Sequence, residues 1–240
     1  MMEIKSDSVK YLPLSLSGVL LGMMLAAADY HVNPGTMAGA AVAAVMLHFY
    51  IANESRLSLI LSIAGCMAAV WFSFGTLLKL ESLVLLLFGY FVIRLVLGAR
   101  NGKGRIMDGV VTFITAGPIA VIGTFFLCSH SFGSWILLLP AVSTGLMSVS
   151  AYGLRDRYPA VIHVLLVLSG AAAMIAYACL RLFDPWHFIF AAVLPVHIYY
   201  LFRLCSDKKR DPEIYVPIIS VSTLIFALLA GAGFLAFLIF

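Results

Sequence analysis

The chain has 240 residues, of which 63% are hydrophobic and only 11% are charged, and its formal net charge is +4 at pH 7. Soluble domains are nearer half apolar and about a quarter charged, so the composition excludes a soluble chain of this length. The small excess of basic over acidic residues is explained by the membrane topology described below and does not indicate nucleic-acid binding. Because the apolar runs are continuous and show no alternating pattern, they predict transmembrane helices and not barrel strands.

Nine apolar runs are separated by charged or turn-forming residues, and we predict a transmembrane helix in each. Most are close to the ~20 residues that a helix needs to cross ~30 Å of hydrocarbon. The connections leave no room for a soluble domain, so the sequence predicts a single all-α transmembrane domain over residues 1–240. In chain order, the runs are 11–29, 35–52, 57–78, 83–98, 107–127, 133–153, 159–180, 186–204 and 215–240.

The distribution of basic residues tests this division independently. With the N-terminus in the cytoplasm, thirteen of the 15 Lys and Arg residues fall on the cytoplasmic side, and only Lys79 and Arg181 fall outside. Short loops of membrane proteins show this bias, the positive-inside rule. We therefore predict a cytoplasmic N-terminus, an external C-terminus and a location in a bacterial inner membrane. The cytoplasmic set is Lys5, Lys10, Arg56, Arg94, Arg100, Lys103, Arg105, Arg155, Arg157, Arg203, Lys208, Lys209 and Arg210.

The first run has two readings. Basic residues precede it and alanines at 26–28 end it, which is also the pattern of a cleavable signal peptide. Its length, with Gly18 and Gly22, favours a retained helix, because small residues let membrane helices pack closely. Gly35 and Gly39 offer the same kind of surface on the second run. For either motif alone, the general abundance of small residues in membrane helices is an equally good explanation.

Histidine and cysteine spacing indicates no metal site. His48, His163 and His197 lie in predicted spans and have no second ligand three or four residues later, so we predict hydrogen-bonded helix residues. The four cysteines show no paired spacing and predict neither a disulfide framework nor a zinc site.

Acidic residues at the cytoplasmic ends of the spans point to a functional site. Glu54 follows the second span, Asp108 lies at the start of the fifth and Asp156 follows the sixth. The nearby basic residues are explained as well by topology, but acidic residues contribute little to it. Because Glu54 and Asp156 follow spans that are four helices apart, the sequence suggests two related halves, helices 1–4 and 5–8, around a central site.

Several separate segments carry a family resemblance. They are YLPLSLSGVLLG at 11–22, YIANE at 50–54, RIMDGVV at 105–111 with GPIAVIGT at 117–124, and YGLRD at 152–156. These segments resemble motifs of the UbiA superfamily of intramembrane prenyltransferases. They are most similar to the branch that prenylates 1,4-dihydroxy-2-naphthoate in menaquinone synthesis. Nine spans with a cytoplasmic N-terminus are also the architecture that this resemblance implies.

The resemblance implies transfer of a polyprenyl chain from its diphosphate to an aromatic quinone precursor in a UbiA-like helical bundle. In that family Mg²⁺ holds the diphosphate, and Mg²⁺ prefers carboxylate and phosphate oxygens. Carried over to this sequence, Glu54 and Asp156 would be the metal ligands, and together with Asp108 they would be the catalytic residues. The residues that would bind the diphosphate are Asn53, Arg105, Arg155 and Arg157.

Both motifs are shorter than the family pattern. After Glu54 the chain passes within a few residues into the third span, and Ala160 stands where the family has a further aspartate. Two alternatives therefore stay open. One is a catalytically inactive UbiA-like protein that binds an isoprenoid lipid or a membrane partner. The other is a small membrane transporter in which Arg94, Asp108 and Asp156 line the pathway.

Overall fold

The computed structural model describes residues 6–53, 56–75, 105–155, 158–181, 184–207 and 211–236, and nearly all of these residues are helical. Two 3₁₀-helical segments, Trp135–Leu137 and Pro185–Val193, lie directly before the helices that begin at Leu138 and Leu194. The fourth helix is composite, because a π-helical segment, Thr115–Gly123, lies between its two α-helical parts. The helices are α1 (Ser6–Asp29), α2 (Pro34–Asn53), α3 (Arg56–Phe74), α4 (Arg105–Ile114 and Thr124–Ser129 with the π-helical segment), α5 (Leu138–Arg155), α6 (Ala160–Leu180), α7 (Leu194–Ser206) and α8 (Pro212–Ala236).

Seven of the described helical stretches are long enough and apolar enough to cross a membrane. They are α1, α3, α4, α5, α6, α7 with its 3₁₀ segment, and α8. The 20 residues of α2 extend over about 30 Å at the usual helical rise, and α2 packs along α3. The predicted fourth span, 83–98, lies outside the described residues.

The observed helix ends lie within a few residues of the predicted ones. α1 begins at Ser6 and not at 11, and α3 ends at Phe74 and not at 78. Gly75 follows with φ +70°, the left-handed conformation that commonly ends a helix and that glycine adopts without strain.

Close contacts at two glycines of α1 show in which direction α4 runs relative to α1. A Cβ at Gly18 would overlap the carbonyl oxygen of Ala116, and one at Gly22 would overlap the carbonyl oxygen of Val121. Contacts therefore advance along both helices in the same direction, and α1 and α4 are parallel. The predicted use of Gly18 and Gly22 in close helix packing is confirmed.

Glycines also bring α2 and α3 together, here in antiparallel fashion. A Cβ at Gly39 would lie 2.6 Å from the backbone nitrogen of Ala69, and one at Gly65 would lie 2.8 Å from that of Ala43. The two backbones thus approach as closely as small residues allow, which is how van der Waals packing associates helices in lipid.

Helix directions define two ends of the bundle. α1, α3, α4, α6 and α8 begin at one end, and α2, α5 and α7 end there. We call it the basic end, because it carries all the described Lys and Arg residues except Arg181. Those residues are Lys10, Arg56, Arg105, Arg155 and Arg203.

The opposite end carries exposed tryptophans, and we call it the tryptophan end. Trp71 lies near the end of α3, Trp135 leads into α5 and Trp186 leads into α7. All three side chains are exposed. Tryptophan is enriched where the hydrocarbon meets the headgroups, so this row indicates one interface of the membrane.

α1 lies at the centre of the bundle and contacts α2, α4, α5 and α8. Leu21, Leu25 and Ala26 on α1, and Phe226 and Ala230 on α8, are all fully buried. The core of the protein is therefore built around the first helix.

Candidate functional site

The sequence predicts a site at the basic end, and three helix ends that carry it lie there. α2 ends at Asn53, α4 begins at Arg105 and α5 ends at Arg155. α1 packs against all three of these helices. Segments that are far apart in the chain thus reach the same end of the bundle around one central helix.

The predicted site residues fall only partly within the described part of the chain. Glu54, Asp156 and Arg157 lie outside the described residues. The others have a described helical backbone, and their side chains lie outside the described part of the structure. These positions are Asn53, Arg105, Asp108 and Arg155.

Two side-chain contacts hold α1 against α2 and α5 close to this end. The hydroxyl of Ser15 lies 2.8 Å from Nδ1 of His48 on α2. The ring of Tyr11 stacks on the ring of Tyr152 on α5, with the centroids 4.7 Å apart and the planes 18° from parallel. His48 is little more than one turn from the end of α2, and Tyr152 is within the last turn of α5. These contacts therefore fix both helix ends relative to α1.

Tyr158 joins α4 to α5 at the same end. A Cβ at Gly153 would lie 2.5 Å from the Tyr158 ring, and one at Gly109 would lie 3.1 Å from its hydroxyl. Gly109 follows Asp108 directly, and Gly153 lies in the last turn of α5. The start of α4 and the end of α5 thus lie on either side of one aromatic ring.

Three buried histidines are hydrogen-bonded helix residues, as predicted. His48 bonds to α1 as described above, Nδ1 of His163 lies 3.1 Å from the Ser150 hydroxyl, and Nε2 of His197 lies 3.2 Å from the Ser222 hydroxyl. Among the described residues, no group of three His, Cys, Asp or Glu side chains is arranged to hold a metal ion.

An ion pair joins α1 to α6 at the tryptophan end. Arg181 donates hydrogen bonds to the carboxylate of Asp29 and, over 2.9 Å, to the hydroxyl of Tyr177. Burial lowers the pKa of Arg181, but Tyr177 and Asp29 raise it by more, so that the net pKa is above the ordinary value. The guanidinium therefore stays charged and keeps the ends of α1 and α6 together.

A pocket of about 360 Å³ opens at the tryptophan end. Its polar wall combines His31, Asn33, Thr36, Ser73 and His130, which come from three distant parts of the chain. Sequence reasoning missed this site, because each part shows no more than three polar residues at the end of a span, and nothing in the sequence indicates that the three parts meet. The polar connection His31-Val32-Asn33-Pro34, which precedes Thr36, was the available signal.

No family model matches the chain, and no curated protein sequence matches it. The architecture defines the class of protein: an all-α polytopic integral membrane protein, with seven long apolar helices within its described part.

Proposed function

We propose that the chain is a divergent UbiA-like prenyltransferase with nine spans, which transfers a polyprenyl chain from its diphosphate to an aromatic quinone precursor of the menaquinone type. The observation that carries this proposal is the meeting of three motif-bearing helix ends, at 53, 105 and 155, around α1 at the basic end. Family-like motifs that are distant in sequence could only form one site if their helices reached the same end of the bundle.

The chemistry follows from the residue types at that end. The carboxylates of Glu54 and Asp156 are oxygen donors of the kind that suits Mg²⁺. Bound there, Mg²⁺ would neutralise the diphosphate as it leaves. Arg155 and Arg157 would donate charge-assisted hydrogen bonds to the phosphate oxygens, with Arg105 and Asn53 beside them. Asp108 would complete the set as a third carboxylate at the start of α4.

In this reaction the bond between the allylic carbon and the diphosphate oxygen breaks, and the diphosphate keeps the electron pair. The electron-rich aromatic ring then attacks the allylic carbon and loses a proton. The polyprenyl tail would remain among apolar helix faces in contact with lipid. A site that opens at the membrane surface therefore suits a donor with a charged head and an apolar tail.

Orientation in the membrane is part of the same proposal: the basic end faces the cytoplasm and the C-terminus lies outside. The excess of basic residues at that end supports it. In a variant whose four native cysteines are replaced by alanine, a cysteine introduced at Asp211 should react with a membrane-impermeant maleimide in inside-out vesicles, and one at Asp184 in right-side-out cells. The reverse pattern would contradict the orientation.

The activity is tested with purified protein, a labelled polyprenyl diphosphate and 1,4-dihydroxy-2-naphthoate as acceptor, with Mg²⁺ or with EDTA. We expect diphosphate release only with Mg²⁺, and a loss of roughly a hundredfold or more in Asp156→Asn because a metal ligand is removed. Asp184→Asn is the matched control at the tryptophan end. Its carboxylate accepts a hydrogen bond of 2.9 Å from the Trp186 backbone nitrogen, and asparagine caps a helix equally well.

The shortened motifs favour one second candidate, a catalytically inactive UbiA-like protein. Ala160 at the position of an expected aspartate is the observation behind it. This candidate predicts that the wild-type protein binds a polyprenyl lipid but releases no diphosphate under any metal condition. Release that depends on Mg²⁺ and is lost in Asp156→Asn would exclude it.

A further inference from the structure

We propose that the pocket at the tryptophan end binds a neutral, multiply hydroxylated ring, a hexose that is either free or the headgroup of a glycolipid. The proposal is independent of the prenyltransferase reaction, because the pocket lies at the opposite end of the bundle from the motif-bearing helix ends. Its volume of about 360 Å³ lies within the range of small-molecule sites.

Ser73 and His130 form the first wall of the pocket. The Ser73 hydroxyl donates to the carbonyl oxygen of Leu127 over 2.6 Å and lies 3.1 Å from Nε2 of His130. Because the single proton of that hydroxyl is already used, Nε2 carries the ring proton and donates it to Ser73. In a neutral imidazole ring this arrangement leaves Nδ1 of His130 as a hydrogen-bond acceptor.

Asn33 and Phe72 form the second wall. Nδ2 of Asn33 donates to the carbonyl oxygen of Phe72 over 3.2 Å, and its Oδ1 accepts from the backbone nitrogen of Gly35 over 2.8 Å. These bonds fix the amide and leave one N–H and one lone pair for a ligand. The half-exposed ring of Phe72 adds an apolar surface beside the amide.

Thr36 lines the pocket and is the one residue of its wall whose buried hydroxyl has no partner within the described part of the chain. Its side chain is 1% exposed, and its hydroxyl has no hydrogen-bond partner within the described structure. Buried hydroxyls are nearly always paired. Because the Thr36 oxygen is itself covered, the hydroxyl would turn about χ1, for which a helical threonine has two populated rotamers, to reach a ligand in the pocket. A hydroxyl group of a bound ligand would supply the missing partner.

The chemistry of the wall selects the class of ligand. None of the described residues that line the pocket is Asp, Glu, Lys or Arg, so an ionic ligand would meet no carboxylate, ammonium or guanidinium there. The wall instead mixes a hydroxyl that can donate, at Thr36, with an acceptor at His130 and an amide at Asn33. Sugar hydroxyls both donate and accept, and the apolar face of a sugar ring can pack on an aromatic side chain such as Phe72.

The test uses the full chain in phosphatidylcholine nanodiscs, prepared with a detergent that has no sugar headgroup. One arm titrates methyl β-D-glucopyranoside by calorimetry, and the other adds monoglucosyl diacylglycerol to the nanodiscs and detects the bound lipid by native mass spectrometry. Saturable binding in the first arm identifies a free sugar, and binding in the second alone identifies a headgroup. Binding in neither arm overturns the proposal.

Variants assign any binding to this pocket. Thr36→Val should weaken it about three- to tenfold, the effect of one lost hydrogen bond, while the thermal midpoint of the free protein stays the same or rises. Thr36→Ser keeps the hydroxyl and should bind like the wild type. Thr144→Val on α5, whose hydroxyl bonds to Pro140 over 3.1 Å, should leave binding unchanged. Equal affinity in Thr36→Val and the wild type would overturn the proposal.

Discussion

Two glycine-to-alanine substitutions should have different effects, because one glycine lies between backbones and the other does not. Gly39 on α2 faces α3, and its added Cβ would lie 2.6 Å from the nitrogen and 2.9 Å from the Cα of Ala69. Gly123 has helical dihedral angles, and a Cβ there would have no described atom within 4 Å. The substitution is chemically the same at both sites, and only the surroundings differ.

The structure gives the magnitude of this difference. Ordinary contact begins at 3.4 Å, so α2 and α3 would have to separate locally by about 0.8 Å to accept Ala at 39. The atoms in the way belong to the backbone and cannot move by rotamer changes. Overpacking of this kind costs about 1–3 kcal/mol. The gain in helix propensity, about 1 kcal/mol, is common to both sites, so it cancels in the comparison.

We therefore expect Gly39→Ala to be less stable than Gly123→Ala by about 1–3 kcal/mol, and Gly123→Ala to match or exceed the wild type. Reversible unfolding in mixed micelles with increasing SDS, followed by tryptophan fluorescence, measures the free energy of unfolding. If the two variants agreed within about 0.5 kcal/mol, the close approach of α2 and α3 would be refuted.

Three further predictions concern pairs of side chains and use the same unfolding assay. Arg181→Gln should cost less than about 1 kcal/mol, and less at high salt, because it breaks a partly exposed ion pair to α1. A double-mutant cycle with Tyr11→Leu and Tyr152→Leu should give a coupling of about 0.5–1.5 kcal/mol from the stacked rings; zero coupling would contradict the stack. His197→Leu should cost about 0.5–1.5 kcal/mol, the worth of one hydrogen bond, because the Ser222 hydroxyl keeps its bond to the carbonyl oxygen of Ile219; in a Ser222→Ala background the same substitution should cost less.

The spans could be predicted because hydropathy and helix-ending residues agree along the chain. The run predicted over 159–180 is the helix Ala160–Leu180, and the run over 35–52 is Pro34–Asn53. Membrane helices must satisfy their own backbone hydrogen bonds, so an apolar run of sufficient length leaves few alternatives. The π-helical segment Thr115–Gly123 could not be predicted, since it leaves the apolar pattern unchanged and depends on local backbone geometry around Pro118.

Side-chain pairs between helices could not be predicted from the sequence. Ser15 and His48 are 33 positions apart, and neither segment contains a pattern that identifies the other as its partner. The pocket at the tryptophan end depends on such convergence too, because Thr36 and His130 meet only after α1, α2, α3 and α4 have packed. For the site at the basic end, the sequence predicts the residues, and the structure describes the helix ends that carry them. The assignment of Glu54 and Asp156 as magnesium ligands stays a prediction.

The most direct test of the central claim is the binding of a non-reactive thiolodiphosphate analogue of the polyprenyl donor, with Mg²⁺ or with EDTA. The account predicts that binding requires Mg²⁺ and weakens by about tenfold or more in Glu54→Gln and in Asp156→Asn, as removal of a metal ligand should produce. Asp184→Asn should bind like the wild type. Binding that is equally tight in EDTA, or unchanged in both variants, would contradict a magnesium-dependent diphosphate site at the basic end.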